Sequence, residues 1–349
     1  MSELVDQVRT HTMKEKSVNP ALPLRQALLS AAVSIFAWTF GAFAIAATPV
    51  PGPLVDTAWL AAQAGNPEVV LIDVRDDPAN FSRQLSDKEK ADPKAPIVGH
   101  IAGARLLDWK LARENRQIDG VMLDKMVPTP QSFEAVMRKL GVRNDQAIII
   151  VTNGKDSAAV TMGTRVYWTL KYFGHDNLAL LDGGLKKWQA ESRPLAFDNP
   201  AVSPSQFSVG KMRPELLAQL DDVEKALKTP ATGLVDGRTA DYYVGQNITA
   251  DVKGKGHIPG ARMLSHKDLI DEKTGTFLPK GELLALVKEA GISVEGDSIS
   301  YCNTGHLGSG PWFVLSELLG NSKARLYDGS MHEWTKNSSR PLSRKWEMK

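Results

Sequence analysis

The chain of 349 residues contains one cysteine, Cys302, inside the stretch SISYCNTGHLGSGPW that runs from Ser298 to Trp312. A single thiol can close no intramolecular disulfide and assemble no cysteine-based metal site, so it is either packing or a reactive group. Its neighbours favour the second reading. SISY (298–301) reads as a buried strand, and GPWFVLSELLG (310–320) reads as a helix with an apolar stripe through Phe313, Val314, Leu318 and Leu319. Between them CNTGHLG is a tight turn in which Gly305 and Gly308 permit backbone angles closed to other residues. A loop that wraps from a strand end into a helix N-terminus points several N–H groups at its centre, and the helix dipole adds partial positive charge. A thiolate there would be stabilised, as would a persulfide or a bound oxyanion, without a histidine base.

Two nucleophilic chemistries use such a loop. Cysteine phosphatases place an arginine six residues after the nucleophile to clamp the phosphoryl group, but that position here is Gly308. The second chemistry is transfer of sulfur through a persulfide.

The elements that must position the loop are written twice. VVLIDVRD (69–76), GHIAGAR (99–105), AIIIVTN (147–153) and LLDGGLKKW (180–188) recur in order as GLVDGRT (233–239), GHIPGAR (256–262), SISYCN (298–303) and LYDGSMHEW (326–334). Four ordered matches mean a duplicated domain. Within each copy, short Val- and Ile-rich runs alternate with helical patterns. SFEAVMRKLG (132–141) and KGELLALVKEAG (280–291) each close on the glycine expected at a helix C-terminus. Strands alternating with helices imply an α/β fold, each copy a parallel sheet covered by helices. In such sheets ligands bind beyond the carboxyl ends of the strands, which is where Cys302 falls. The expected organisation is a signal peptide over 1–47, a first domain over 48–196, a Pro-rich linker over 197–213, and a second, catalytic domain over 214–349.

These motifs resemble the tandem-domain rhodaneses, the thiosulfate and 3-mercaptopyruvate sulfurtransferases. The resemblance spans about Leu54 to Trp334 and rests on Asp73-Val74-Arg75 and Asp236-Gly237-Arg238, both Gly-His-Ile segments, the Cys302 loop and YDGSMHEW (327–334). It implies two rhodanese-like domains, of which the second carries the cysteine that accepts a sulfane sulfur and passes it on. Thr152 stands opposite Cys302 in the first copy, so that copy lacks the nucleophile and serves as one wall of the cleft. The resemblance also implies a small anionic sulfur donor and a thiophilic acceptor such as cyanide, a thiol or a sulfur-accepting protein, with no metal or organic cofactor. Asn303, Thr304, Gly305, His306 and Leu307 would line the donor site. This loop has neither the basic residues usual in thiosulfate-specific members nor the small neutral set of the 3-mercaptopyruvate enzymes, so the donor stays open between them. Arg238 either faces the cleft and holds the donor or pairs with Asp236. His306 either lies inside the cradle, where it is expected to carry a fractional charge between about pH 6 and 8, or faces solvent as an ordinary loop residue. His100 and His257 recur in both copies, including the one without a nucleophile, which assigns them to fixing a turn. Trp312 is a candidate for the cleft wall.

Composition excludes other classes. The 42 Lys and Arg against 40 Asp and Glu lose four and three respectively with the first 47 residues, so the remainder is near balance, with no basic stripe for nucleic acid. Arg9, Lys14, Lys16 and Arg25 followed by an apolar run from Ala27 and the small residues Ala44-Ile45-Ala46 read as an export signal. The expected destination is the periplasm or another exported compartment, without stable membrane association once the signal is cleaved. The alternative is an uncleaved membrane anchor, since Ala27 to Ala47 is about long enough to span. Met13 is a second possible start.

Overall fold

The computed structural model describes residues 48–92, 94–229 and 231–346. The expected signal over 1–47 lies outside them. The first half contains β1 (Leu54–Val55), α1 (Thr57–Ala62), β2 (Val69–Arg75), α2 (Asp87–Lys90), β3 (Arg105–Asp108), β4 (Glu114–Ile118), β5 (Val121–Met126), α3 (Pro130–Lys139), β6 (Ala147–Thr152), α4 (Ser157–Tyr172), β7 (Leu178–Leu181) and α5 (Gly184–Ala190). The second half contains β8 (Leu217–Ala218), α6 (Leu220–Ala226), β9 (Gly233–Asp236), α7 (Ala240–Tyr243), β10 (Arg262–Met263), α8 (Lys280–Glu289), β11 (Ser298–Tyr301), α9 (Ser309–Phe313), β12 (Ala324–Tyr327) and α10 (Ser330–Trp334).

Each half forms a five-stranded sheet, in the orders β1-β7-β6-β2-β3 and β8-β12-β11-β9-β10. The two orders correspond strand for strand, and every pairing within both sheets is parallel. The central strands explain the class. All residues of β6 (AIIIVT) and of β11 (SISY) are buried, as strands covered by helices on both faces must be. The halves differ in an antiparallel hairpin, β4–β5, that the first inserts after β3, where the second has the single antiparallel bridge Ile270–Phe277.

Helix α4 is the piece that joins the halves. Asp156 caps it by accepting from Ala159 N–H, and 14 of its 16 residues are buried. Such a helix is apolar or paired on all sides because it packs on its own sheet and on the other half. Tyr167 stacks edge-on against Phe313 at 4.9 Å, and Thr164 Oγ1 lies 2.7 Å from Ser309 Oγ. The segment 197–213, expected as a linker of little pattern, is anchored along the first half. Phe207 is buried against Phe133, and its carbonyl accepts from Arg138 Nε at 2.6 Å.

Two reciprocal contacts clasp the halves. Val127 N–H, just past β5, donates to Asp328 Oδ2 at 2.6 Å. Phe277 N–H, at the equivalent place in the second half, donates to Asp182 Oδ1 at 2.9 Å. Asp182 and Asp328 are the aspartates of the repeated LLDGG and LYDGS motifs, so each copy plugs the strand ends of the other.

Candidate active site

Cys302 follows directly on β11, so its position is fixed by the buried strand. The residue is 1% exposed and its thiol is free. Its backbone is held from below by α10. Cys302 N–H and Gly305 N–H both donate to Ser330 Oγ, at 3.1 and 3.0 Å, and the Ser330 hydroxyl donates to Tyr327 O at 2.8 Å. The Cys302 and Asn303 carbonyls accept from Met331 and His332 N–H at 3.0 and 2.9 Å. Ser330 achieves this in the left-handed region, at φ 50°, where a side chain is strained.

These contacts curl the loop and leave amides over. Among the described residues, the N–H groups of Asn303, Thr304, His306, Leu307 and Gly308 have no protein acceptor. They are the donors that an anionic sulfur or oxyanion held in the loop would need. Helix α9 begins at Ser309 and continues as one π-type segment, Val314–Leu318, so the expected single helix changes its pitch midway.

Several sequence expectations change. Arg238 is 2% exposed and takes the second of its two expected roles, the pair with Asp236. Its Nε and Nη2 bind the Asp236 carboxylate, Nη2 also donates to Gly256 O at 2.9 Å, and Nη1 reaches Asn303 Oδ1 at 3.3 Å. A guanidinium so occupied locks the GHIPGAR turn against the strand end and has no fork left for a donor. The pair Arg75–Asp73 does the same in the first half, where Arg75 Nη2 donates to Gly99 O. Gly305 serves the turn, and its amide is already engaged. Its N–H is spent on Ser330, its φ is 70°, and a Cβ there would sit 2.5 Å from both Arg165 Nη1 and Asp328 Oδ1.

His306 is corrected too. Its Nε2 lies 3.1 Å from the Ala158 carbonyl and 3.2 Å from Thr161 Oγ1, so it docks on the first turn of α4. Burial, with Arg113 next in effect, pushes its pKa down to about 3. The ring is therefore neutral across the range in which it was expected to titrate. Trp312 is core, fully buried with its indole N–H on Ala324 O at 3.0 Å. His100 and His257 are buried and stacked on Phe81 and Tyr243 at 3.9 and 3.7 Å, inside their turns.

The cation that the loop lacks comes from the first half. Arg113, between β3 and β4, lays its guanidinium over the Trp109 ring at 4.1 Å, and the same ring meets His306 at 4.7 Å. Among the described residues Arg113 has no carboxylate at ion-pair distance, and its buried Nε has no partner. Burial and Arg165 draw its pKa down to about 10, while Asp251, Cys302 and Asp328 draw it back up. It stays charged at neutral pH, within electrostatic reach of the thiol. Arg165, from α4, forms a buried ion pair with Asp328 at 2.5 Å and donates to Gly305 O at 3.0 Å. Neither arginine carries a motif in LAREN or GTRVYW that marks it, because each acts on a loop more than a hundred residues away.

The model of the rhodanese-like domain matches residues 56–191 and again 219–337. A protein of Mycolicibacterium smegmatis, provisionally named a thiosulfate sulfurtransferase, is 31% identical over 287 residues, covering 80% of this chain and 94% of its own. The sulfur carrier protein TtuD of Thermus thermophilus is 29% identical over 293 residues, covering 81% and 94%. Among solved structures, the 3-mercaptopyruvate sulfurtransferase SseA of Escherichia coli superposes with a TM-score of 0.64 at 26% identity, over 80% of this chain and 98% of its own. The EanB variant bound to ergothioneine reaches 0.69 at 20% identity, over 83% and 70%, a likeness of fold.

Proposed function

This chain belongs to the rhodanese family, and from that premise we propose that it is a sulfurtransferase whose Cys302 carries sulfur from an anionic donor, thiosulfate or 3-mercaptopyruvate, to a thiophilic acceptor. The observation that carries this reading is one buried thiol at a strand end, followed by five loop amides without an acceptor among the described residues and within electrostatic reach of Arg113. The Cys302 thiolate attacks the outer sulfur of the donor. A new S–S bond forms, the donor's bond to that sulfur breaks, and the electron pair leaves with the remnant, sulfite in the case of thiosulfate. The persulfide anion then rests against the loop amides. Cyanide or a thiolate attacks its outer sulfur, forming the new bond and returning the thiolate, so no external oxidant or reductant enters.

Arg113 offsets the repulsion between an anionic donor and a thiolate. Cys302→Ser tests the mechanism, since a hydroxyl fills nearly the same space and forms no persulfide. Intact mass after donor treatment should rise by one sulfur in the parent and not in the variant; turnover in the variant would defeat the reading. The sulfur carrier among the relatives supports a second reading, in which the persulfide is handed to a protein without useful turnover on small molecules. Steady-state kinetics with thiosulfate, 3-mercaptopyruvate and cyanide separates the two.

We also propose export, directed by residues 1–47 and ending in a mature terminus near Ala47 or Thr48. Terminal sequencing of the exported fraction reads the cleavage site, and an intact segment in membranes would favour an anchor.

A further inference from the structure

We propose that the seam between the two halves holds a second ligand site, separate from the Cys302 loop, that takes a small zwitterionic α-amino acid. A cavity of about 150 Å³ opens there, lined by Arg116 and Val127 from the hairpin side, Tyr172 at the end of α4, Gln219 before α6, and Asp328 and Glu333 after β12. That is roughly five water volumes, room for a molecule of a few non-hydrogen atoms.

The duplication supplies an internal comparison. Asp182 and Gly183 are the counterparts of Asp328 and Gly329, and Phe277 crosses them as Val127 crosses Asp328. A space of only about 10 Å³ adjoins the Asp182–Gly183 turn, on the side of β6 among Ile150, Thr152, Leu180 and Phe277, whereas the larger cavity at Asp328 lies on the side of β8.

The walls set the chemistry. Arg116 Nη1 donates to Val127 O at 3.2 Å, and among the described residues no carboxylate lies at ion-pair distance from this guanidinium. Asp328 is already ion-paired with Arg165 and accepts from Val127 N–H. Glu333 has no cation at ion-pair distance among the described residues, and burial pushes its carboxyl pKa up. A simple carboxylate would gain Arg116 but meet Glu333, and a simple amine would meet the reverse. A zwitterion answers both, its carboxylate on the Arg116 fork and its ammonium on Glu333, in a cavity that Tyr172 and Gln219 also line.

The position links this site to the thiol. Gly329 precedes Ser330, whose Oγ holds the amides of Cys302 and Gly305. A ligand seated on Asp328 and Gly329 lies one residue from the floor of the loop. The binding itself does not depend on the sulfurtransferase reading; only the link to Cys302 does.

Isothermal titration of the protein with alanine and serine, which carry no thiol, tests the proposal, with acetate and ethylamine as singly charged controls. Saturable binding of the amino acids is expected, about tenfold tighter than either control and weakened about tenfold by Arg116→Gln or Glu333→Gln. If either variant does not fold by thermal melting, Arg116→Lys, which keeps the charge and loses the fork, replaces it. No binding of alanine or serine, equal binding of acetate, or affinity unchanged in the variants overturns the site. Alanine at saturation should change the rate at which iodoacetamide alkylates Cys302, and an unchanged rate overturns the link to the loop.

Discussion

Arg113 and His306 show how strongly a single residue's role depends on what lies across the cleft. Arg113 stacks on Trp109 and has no carboxylate partner among the described residues, which makes it the cation we propose for binding a donor. Replacing it with alanine should raise the donor KM about tenfold with little change in kcat, because it binds ground state and transition state alike. Steady-state kinetics decides this, and an unmoved KM would remove Arg113 from the site. His306 and His266 are both held neutral, their pKa values pushed down to about 3 and about 4, chiefly by burial. The unfolded chain binds their protons near the ordinary value of about 6.5, so it is favoured as pH falls below that. Stability should therefore be full above about pH 6.5 and decline toward pH 4. In melts across that range, the double variant His266→Asn, His306→Asn should show a flatter decline than the parent; equal slopes would contradict the burial argument.

At the scale of elements, the turn from β12 into α10 does as much for the active site as the Cys302 loop itself. Ser330 endures a left-handed φ of 50° so that its hydroxyl can gather two amides and the Tyr327 carbonyl. Ser330→Ala keeps the strain and leaves buried donors unpaired, which should lower stability by about 2 kcal/mol. Ser330→Gly relieves the strain but not the pairing, and should lose about 1 kcal/mol less. Both should slow persulfide formation, since the loop floor is gone in each. Denaturant unfolding and single-turnover kinetics measure the two effects. Equal stability of the two variants would show that the left-handed backbone stores no strain.

Across the whole molecule, the half without a cysteine completes the half that has one. Arg165 in α4 pairs with Asp328 and supports Gly305, while Lys125 pairs with Asp251 at 2.8 Å and His332 Nε2 accepts from Asp124 N–H at 3.2 Å. Arg165→Leu leaves the Asp328 carboxylate buried with its ion pair gone, and should cost about 3 kcal/mol together with most of the turnover. Adding Asp328→Asn removes the stranded charge, so the double variant should regain part of the stability but not the activity. Denaturant midpoints of the parent, both singles and the double give the coupling. Simple additivity would mean that the two side chains do not act as a pair.

The repeated strings, the glycine-closed helices and the apolar run AIIIV were enough, by themselves, to determine a duplicated α/β architecture, because strand burial and helix ends are written in local residue types. The lone cysteine between a buried strand and a glycine-rich turn was legible for the same reason. What surrounds the thiol was decided only in three dimensions. Arg238 sits two residues from its partner Asp236, yet the sequence left it open whether that arginine turned inward or toward the cleft, and the Gly256 carbonyl and Asn303 settle it inward. His306 had an ordinary titration until Ala158 and Thr161 of the other half buried it. Arg113 and Arg165 could not be picked from their neighbours in the chain, since charge and burial at a cleft are properties of two surfaces meeting, and only the packing of one copy against the other brings those surfaces together.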